Sequence, residues 1–290
     1  MKKLLGTTSD YLSLIKFSHT VFAMPFALIG YFLGSLMPGF GFSLKTFLLV
    51  LACMVFARSA AMAFNRYADV HFDSMNPRTA GREIPSGRIP QRHALVFVIA
   101  SSVLFIASTV FLNRLTLILS PLALIIVLGY SYTKRFTSLS HFVLGLGLSL
   151  APIGAYIAVT GTFALLPVIY SLIVLTWVSG FDIIYALQDD QFDRDTGLHS
   201  IPAAMSRREA LAVSVSLHSL SFMLVSVAGL IGQAGIIFWA GALIFTAMLV
   251  YQHLIVKPDD LSRVNMAFGT TNGVAGVIFG VAVITDLLIF

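Results

Sequence analysis

The chain has 290 residues, 58% of them hydrophobic and only 11% charged, with a mean hydropathy of +0.91. Soluble domains carry about 25% charged residues, and no polar stretch here is long enough for an aqueous domain, so residues 1–290 read as one integral membrane domain. The net charge of +5 does not indicate nucleic acid, because the basic residues sit in short connections between apolar runs. The single Cys53 lies inside such a run, which leaves no disulfide and no cysteine metal cluster.

In chain order, Lys2 and Lys3 are separated from the first apolar run by polar residues and Asp10. That suits a cytoplasmic lead into a spanning helix better than a signal peptide. Windows of roughly 20 apolar residues then predict about nine spans, at 17–36, 45–68, 93–112, 115–132, 141–160, 164–187, 210–231, 234–255 and 266–289. Only Asn113 and Arg114 separate the third from the fourth. The expected fold is therefore all-α, a polytopic bundle. Lys and Arg concentrate in every second connection: Arg78, Arg82, Arg88 and Arg92, then Lys134 and Arg135, then Arg194, Arg207 and Arg208, then Lys257 and Arg263. Lys2, Lys3 and Lys16 share that side, whereas the opposite connections hold only Lys45 and Arg114. The positive-inside rule places the N-terminus and the long polar loops in the cytoplasm.

The most informative stretch is NRYADVHFDSMNPRTAGREIPSG, residues 65–87, at the end of the second span. Asn65, Asp69 and Asp73 recur every four residues, so they share one helical face. Two carboxylates one turn apart repel unless a positive charge lies between them. Mg²⁺ meets that need with few protein carboxylates, water and substrate phosphate, and Arg78, Arg82 and Arg88 suit the phosphate. A second acidic set, QDDQFDRD, ends the sixth span. Asp189 and Asp193 recur 120 residues after Asp69 and Asp73, and RDTGLHSIP echoes RTAGREIP. Four helices separate the two sets, so two pseudo-repeated four-helix halves would bring them face to face, with one Mg²⁺ per set bridged by phosphate.

Other polar residues lie at or below the ends of the spans. Tyr130 and Lys134 are one turn apart beside Arg135, as interfacial anchors or as ligands of a diphosphate or acidic co-substrate. Arg58 lies two turns deeper than Asn65 on the same face, and a buried arginine in a span is a site hypothesis by default. Asp182 and Tyr185 precede the second acidic set, where they would bond a substrate or Lys134, or serve in packing. His19 has no partner in metal-ligand spacing, and His71 falls off the face of the aspartates.

These motifs resemble the UbiA superfamily of intramembrane aromatic prenyltransferases across essentially the whole chain. The family pattern NxxxDxxxD is met by Asn65, Asp69 and Asp73, with Arg78, Arg82 and Pro85–Gly87 following. Its DxxxD is met by Asp189 and Asp193 after Tyr185, its YxxxKR by Tyr130, Lys134 and Arg135, and the arginine of 4-hydroxybenzoate members by Arg58. Two departures stand out: Arg66 follows Asn65 where many members have Asp, and GREIPSG replaces RPLPSG.

The resemblance implies a bacterial inner-membrane enzyme whose site faces the cytoplasm. It would join a polyprenyl diphosphate to an aromatic acid, 4-hydroxybenzoate or, in the futalosine route to menaquinone, 1,4-dihydroxy-6-naphthoate. It further implies two Mg²⁺ ions on Asn65, Asp69, Asp73, Asp189 and Asp193, and leaving-group contacts from Arg78, Arg82 and Lys134. Arg58 or Arg135 would take the acceptor carboxylate, with Tyr130, Asp182 and Tyr185 nearby. A CDP-alcohol phosphotransferase would carry a DGxxAR string, which is absent. A coupled transporter would hold its carboxylates near the midplane rather than at the helix ends.

Overall fold

In a computed structural model, described over residues 8–290 and without the side chains of residues 17–23, every regular element is helical. Lys2, Lys3 and the side chain of His19 lie outside the described residues. Within hydrocarbon, only a helix satisfies its own backbone, and eight helices are long and apolar enough to cross. They are α3 (Leu44–Ala68), α5 (Gln91–Val110), α6 (Arg114–Thr133), α7 (Ser140–Thr160), α8 (Leu165–Ala186), α11 (Arg207–Ile231), α12 (Ile236–Ile255) and α13 (Asn272–Ile289) with the π-turn Met266–Thr271 before it. The helix α2 (Phe17–Ser35) completes the expected nine, its apolar run described from Met24 to Ser35.

Short helices occupy the connections: α1 (Thr8–Leu14), α4 (Val70–Met75), α9 (Asp190–Thr196) and α10 (Ile201–Ala204). The boundaries have local causes. Asn113 ends the ambiguity between the third and fourth spans by capping α6 through Thr116 N–H. Its amide also donates to the Ile157 and Ala158 carbonyls of α7, at 2.7 and 3.1 Å. Ser206 and Glu209 form a reciprocal capping box at the start of α11.

The two halves repeat one neighbour order: α2, α3, α5, α6 in the first, and α7, α8, α11, α12 in the second. They join where α2 packs on α7, and α13 closes against α2 and α12. Small residues allow the close approaches. A Cβ on Gly30 of α2 would strike the Pro152 carbonyl of α7, and one on Gly145 of α7 would strike Ser179 of α8. The main core collects Phe26, Trp177, Phe245 and Phe279 between α2, α8, α12 and α13. Large apolar side chains such as Val96, Ile125 and Leu243 stay exposed on the outside, where lipid covers them.

Candidate active site

Both acidic sets sit where a spanning helix breaks. The sequence spacing predicts one continuous helix through Asp73, but α3 stops at Ala68 and α4 begins at Val70. Asp69 lies between them at φ −96°, ψ 10°. The ladder still runs through, from Asp69 N–H to Asn65 O at 3.0 Å and from Asp73 N–H to Asp69 O at 2.8 Å. The break is thus a kink that keeps all three residues on one side. In the second set a 3₁₀ turn, Leu187–Asp189, separates α8 from α9, and Asp189 takes φ −112°, ψ 7°. This sparsely allowed bridge region recurs at functional positions.

The two sets meet around a cavity of about 690 Å³, lined by Asn65, Asp69, Asp73, Asp189 and Asp193. Asn65 Nδ2 donates to Asp69 Oδ2 at 2.9 Å. Asp73 is buried, accepts from Arg82 Nη1 at 2.6 Å on one oxygen, and has no partner on the other. Arg78 crosses from the loop after the first set and grips both oxygens of Asp189, with Nε at 2.9 Å from Oδ1. Asn76 Nδ2 adds a third bond to the same Oδ1 at 3.0 Å. Lys134 Nζ donates to Asp193 Oδ2 at 3.2 Å.

Arg135 bonds the Ala68 carbonyl at 2.7 Å, reaches Asp69 Oδ1 at 3.5 Å, and lies over the Tyr132 ring. Burial first, and then the negative field of Asp73, push the Asp69 carboxyl up to about 6, against the opposing pull of Arg135. The neighbouring Asp190 turns away from this centre and pairs with Arg207 at 2.7 and 3.0 Å.

Deeper residues line the same cavity: Arg58, Tyr130, Trp177, Phe181, Asp182 and Tyr185. Arg58 Nε is buried with no hydrogen-bond partner. Tyr185 accepts from Arg78 Nη1 at 2.9 Å and stacks on Phe268 at 4.1 Å, within the π-turn. Asp182 pairs with His141 at 2.7 Å rather than with Lys134.

Every residue singled out in the sequence for this centre thus reaches the cavity, and His71 is exposed. Sequence reasoning missed Asn76, His141 and Arg66. Asn76 follows Asp73 in plain view, but its partner is 113 residues away. Arg66 lines the cavity with its Nε buried and unpartnered; its place beside Asn65 was the available signal.

The chain matches the UbiA prenyltransferase family over residues 23–277. It belongs to that family. It is 30% identical to a 4-hydroxybenzoate octaprenyltransferase of Nitrosomonas eutropha, over 81% of this chain and 82% of that protein. A similar relative from Aeromonas salmonicida is 30% identical over 65% of each. Among solved structures, the apo form of a UbiA homolog from Aeropyrum pernix K1 superposes with a TM-score of 0.84. That homolog is 34% identical, over 92% of this chain and 98% of its own. A UbiA homolog from Archaeoglobus fulgidus, solved with GPP and Mg²⁺, shares the fold at TM-score 0.69 and 21% identity, over 95% and 99% of the two chains. The UbiA-family chain is accordingly a multi-pass membrane prenyltransferase.

Proposed function

We propose that this UbiA-family enzyme transfers a polyprenyl group from its diphosphate to the ring of an aromatic acid, with 4-hydroxybenzoate as the preferred acceptor. The reaction runs at the cytoplasmic face of a bacterial inner membrane. The observation that carries the acceptor class is Arg58, a half-buried arginine of α3 that lines the cavity and whose Nε is buried without a partner. Such a charge is costly unless an anion meets it. The carboxylate of a planar acid does so with two parallel hydrogen bonds. The relatives named for octaprenyl transfer to 4-hydroxybenzoate support the same reading.

Mg²⁺ fits the rim. Asp73 keeps a buried carboxylate oxygen without a partner, which is the donor a hard cation requires. No group of three or more His, Cys, Asp or Glu forms among the described residues, so an ion here would complete its shell with water and phosphate oxygen. Asn65, Asp69 and Asp73 would hold one ion, and Asp189 and Asp193 a second. Bound there, Mg²⁺ would neutralise the diphosphate and stabilise charge on the leaving oxygen.

The protein's own residues supply the rest. Arg78, Arg82 and Lys134 stand among the aspartates and face the charge that gathers on the leaving diphosphate. Trp177 and Phe181 line the inner cavity, exclude water, and present ring faces that stabilise the allylic cation. Arg58 orients the acceptor, with Tyr130 beside it.

The test uses membranes containing the full chain, radiolabelled 4-hydroxybenzoate and mixed polyprenyl diphosphates, with Mg²⁺ or EDTA. Label should enter the lipid phase only with Mg²⁺, and Asp69→Ala should lower the rate about 10²–10³-fold. Turnover only with 1,4-dihydroxy-6-naphthoate would keep the chemistry and replace the acceptor. Inertness with every aromatic acid would defeat the proposal.

A further inference from the structure

Five aspartates line the cavity: Asp69, Asp73, Asp182, Asp189 and Asp193. Four of them meet a permanent cation, namely Arg135, Arg82, Arg78 and Lys134. Asp182 is the exception among the described residues, for its partner is a histidine. His141, on α7, is fully buried, and its Nδ1 lies 2.7 Å from Asp182 Oδ2.

The other ring nitrogen decides the tautomer. The Ile201 N–H donates to His141 Nε2 at 3.3 Å, so Nε2 is an acceptor and the proton sits on Nδ1, aimed at Asp182. The imidazole is a neutral donor. It orients the carboxylate without supplying the counter-charge that the arginines and the lysine give the other four. The mounting is rigid. Ser179 Oγ donates to the His141 carbonyl at 3.1 Å, and Gly145 lets α7 and α8 close on each other at that serine.

Depth separates Asp182 from the rim as well. It precedes Asp189 by seven residues, about 10 Å of helix, and the 120-residue repeat sets it opposite Met62, four residues nearer the rim than Arg58. Arg58 therefore lies deepest, with Asp182 about one turn above it and below the diphosphate rim. An acceptor with an acid group at one end of its ring has its reacting edge toward the other.

We propose that Asp182 is the base that takes the ring proton when the acceptor is alkylated, and that His141 is the positioning residue that aims it. This rests on the aromatic-acceptor reading above. The carbon–oxygen bond of the prenyl diphosphate breaks, and its electron pair leaves with the diphosphate. A ring π pair forms the new carbon–carbon bond. The ring C–H bond then breaks, its pair restores aromaticity, and the proton passes to Asp182 and on to water at the cavity mouth.

The test compares the full-length protein with His141→Leu, His141→Gln and Asp182→Asn, using ordinary and ring-deuterated 4-hydroxybenzoate. His141→Leu and Asp182→Asn should lower kcat about 10²-fold, the scale of a lost general base, with KM for the prenyl diphosphate unchanged. His141→Gln, whose amide both donates to Asp182 and accepts from Ile201, should recover most of the loss. The deciding readout is isotopic. Ring deuterium should slow both weakened variants measurably more than the wild type, because proton removal has become rate-limiting. Slow variants with no added isotope effect would assign the pair to packing, and a His141→Leu with wild-type kcat would overturn the positioning role outright. Wild-type protein that consumes the diphosphate without alkylating any aromatic acid would instead defeat the acceptor reading, and Asp182 as ring base with it.

Discussion

The two acidic sets are alike in backbone and unlike in how their charge is met. Asp69 and Asp189 open their sets at nearly the same φ and ψ, each at the break of a spanning helix. Yet cations and donors from the first half serve both sets. Arg82 and Arg135 hold the first, while Asn76, Arg78 and Lys134 cross over to hold the second. The arginines of the second half stay at home. Arg194 donates to the carbonyls of Pro202, Ala203 and Met205, and Arg207 takes Asp190. The repeat thus preserved the bend that presents carboxylates and concentrated the basic residues in one half, so the site closes only when the halves dock.

The sharpest way to break this comparison is to change two adjacent buried aspartates with opposite allegiances. Asp189 faces the shared cavity and Asp190 faces Arg207. Asp189→Asn should lower turnover about 10²–10³-fold, the cost of a lost charge-stabilising group in a water-poor site. Asp190→Asn should leave turnover near wild type and cost about 2 kcal/mol of stability, the scale of a charged hydrogen bond. Turnover and thermal melting in the same detergent separate the two. Equal losses of turnover would mean that both carboxylates serve the reaction.

That pair also shows what a sequence can and cannot say. The string QDDQFDRD places four aspartates in seven residues, and four-residue spacing selects Asp189 and Asp193. Helical period is a local property, so it is legible, as are the spans, the halves, and the reach of Arg58 and Lys134 to one cavity. The kink at Asp69 was not legible, because no glycine or proline marks it. His141 is illegible for a different reason. A lone histidine on an apolar helix carries no local signal, and only the packing of α7 on α8 brings it to Asp182, 41 residues on. Partners chosen across the bundle, such as Asn76 for Asp189, are tertiary facts.

A smaller effect sharpens the role of the crossing cation. Arg78 engages Asp189 through two nitrogens and Tyr185 through a third, a fork that lysine cannot reproduce. Arg78→Lys keeps the charge and loses the geometry. Losing one charged hydrogen bond of about 1.5–3 kcal/mol predicts a fall in kcat/KM for the prenyl diphosphate of about 10–150-fold. Arg194→Lys, at the corresponding end of the second half, should change neither kcat nor KM. Steady-state kinetics with varied prenyl diphosphate decide it, and equal effects would remove the asymmetry between the halves.

The smallest effect concerns protons and separates the first set by its titration. The Asp69 carboxyl is held up at about 6 against a free value of 3.8, by burial first and Asp73 next. A raised acid binds its proton more tightly in the folded protein than in the unfolded chain. Its contribution to stability is therefore full below the free value and is lost as the pH rises through about 6. If Asp69 holds Mg²⁺ as proposed, the ion would require the other form, and proton and metal would compete from about pH 6 downward. Below that point the Mg²⁺ concentration giving half-maximal turnover should rise about tenfold per pH unit, and above it the requirement should be flat. Arg135 pulls the Asp69 value down, so Arg135→Gln should shift the onset to higher pH. Mg²⁺ titrations of the wild type and this variant at matched ionic strength provide the check. An onset that stays put in Arg135→Gln would mean that a group other than Asp69 governs the metal.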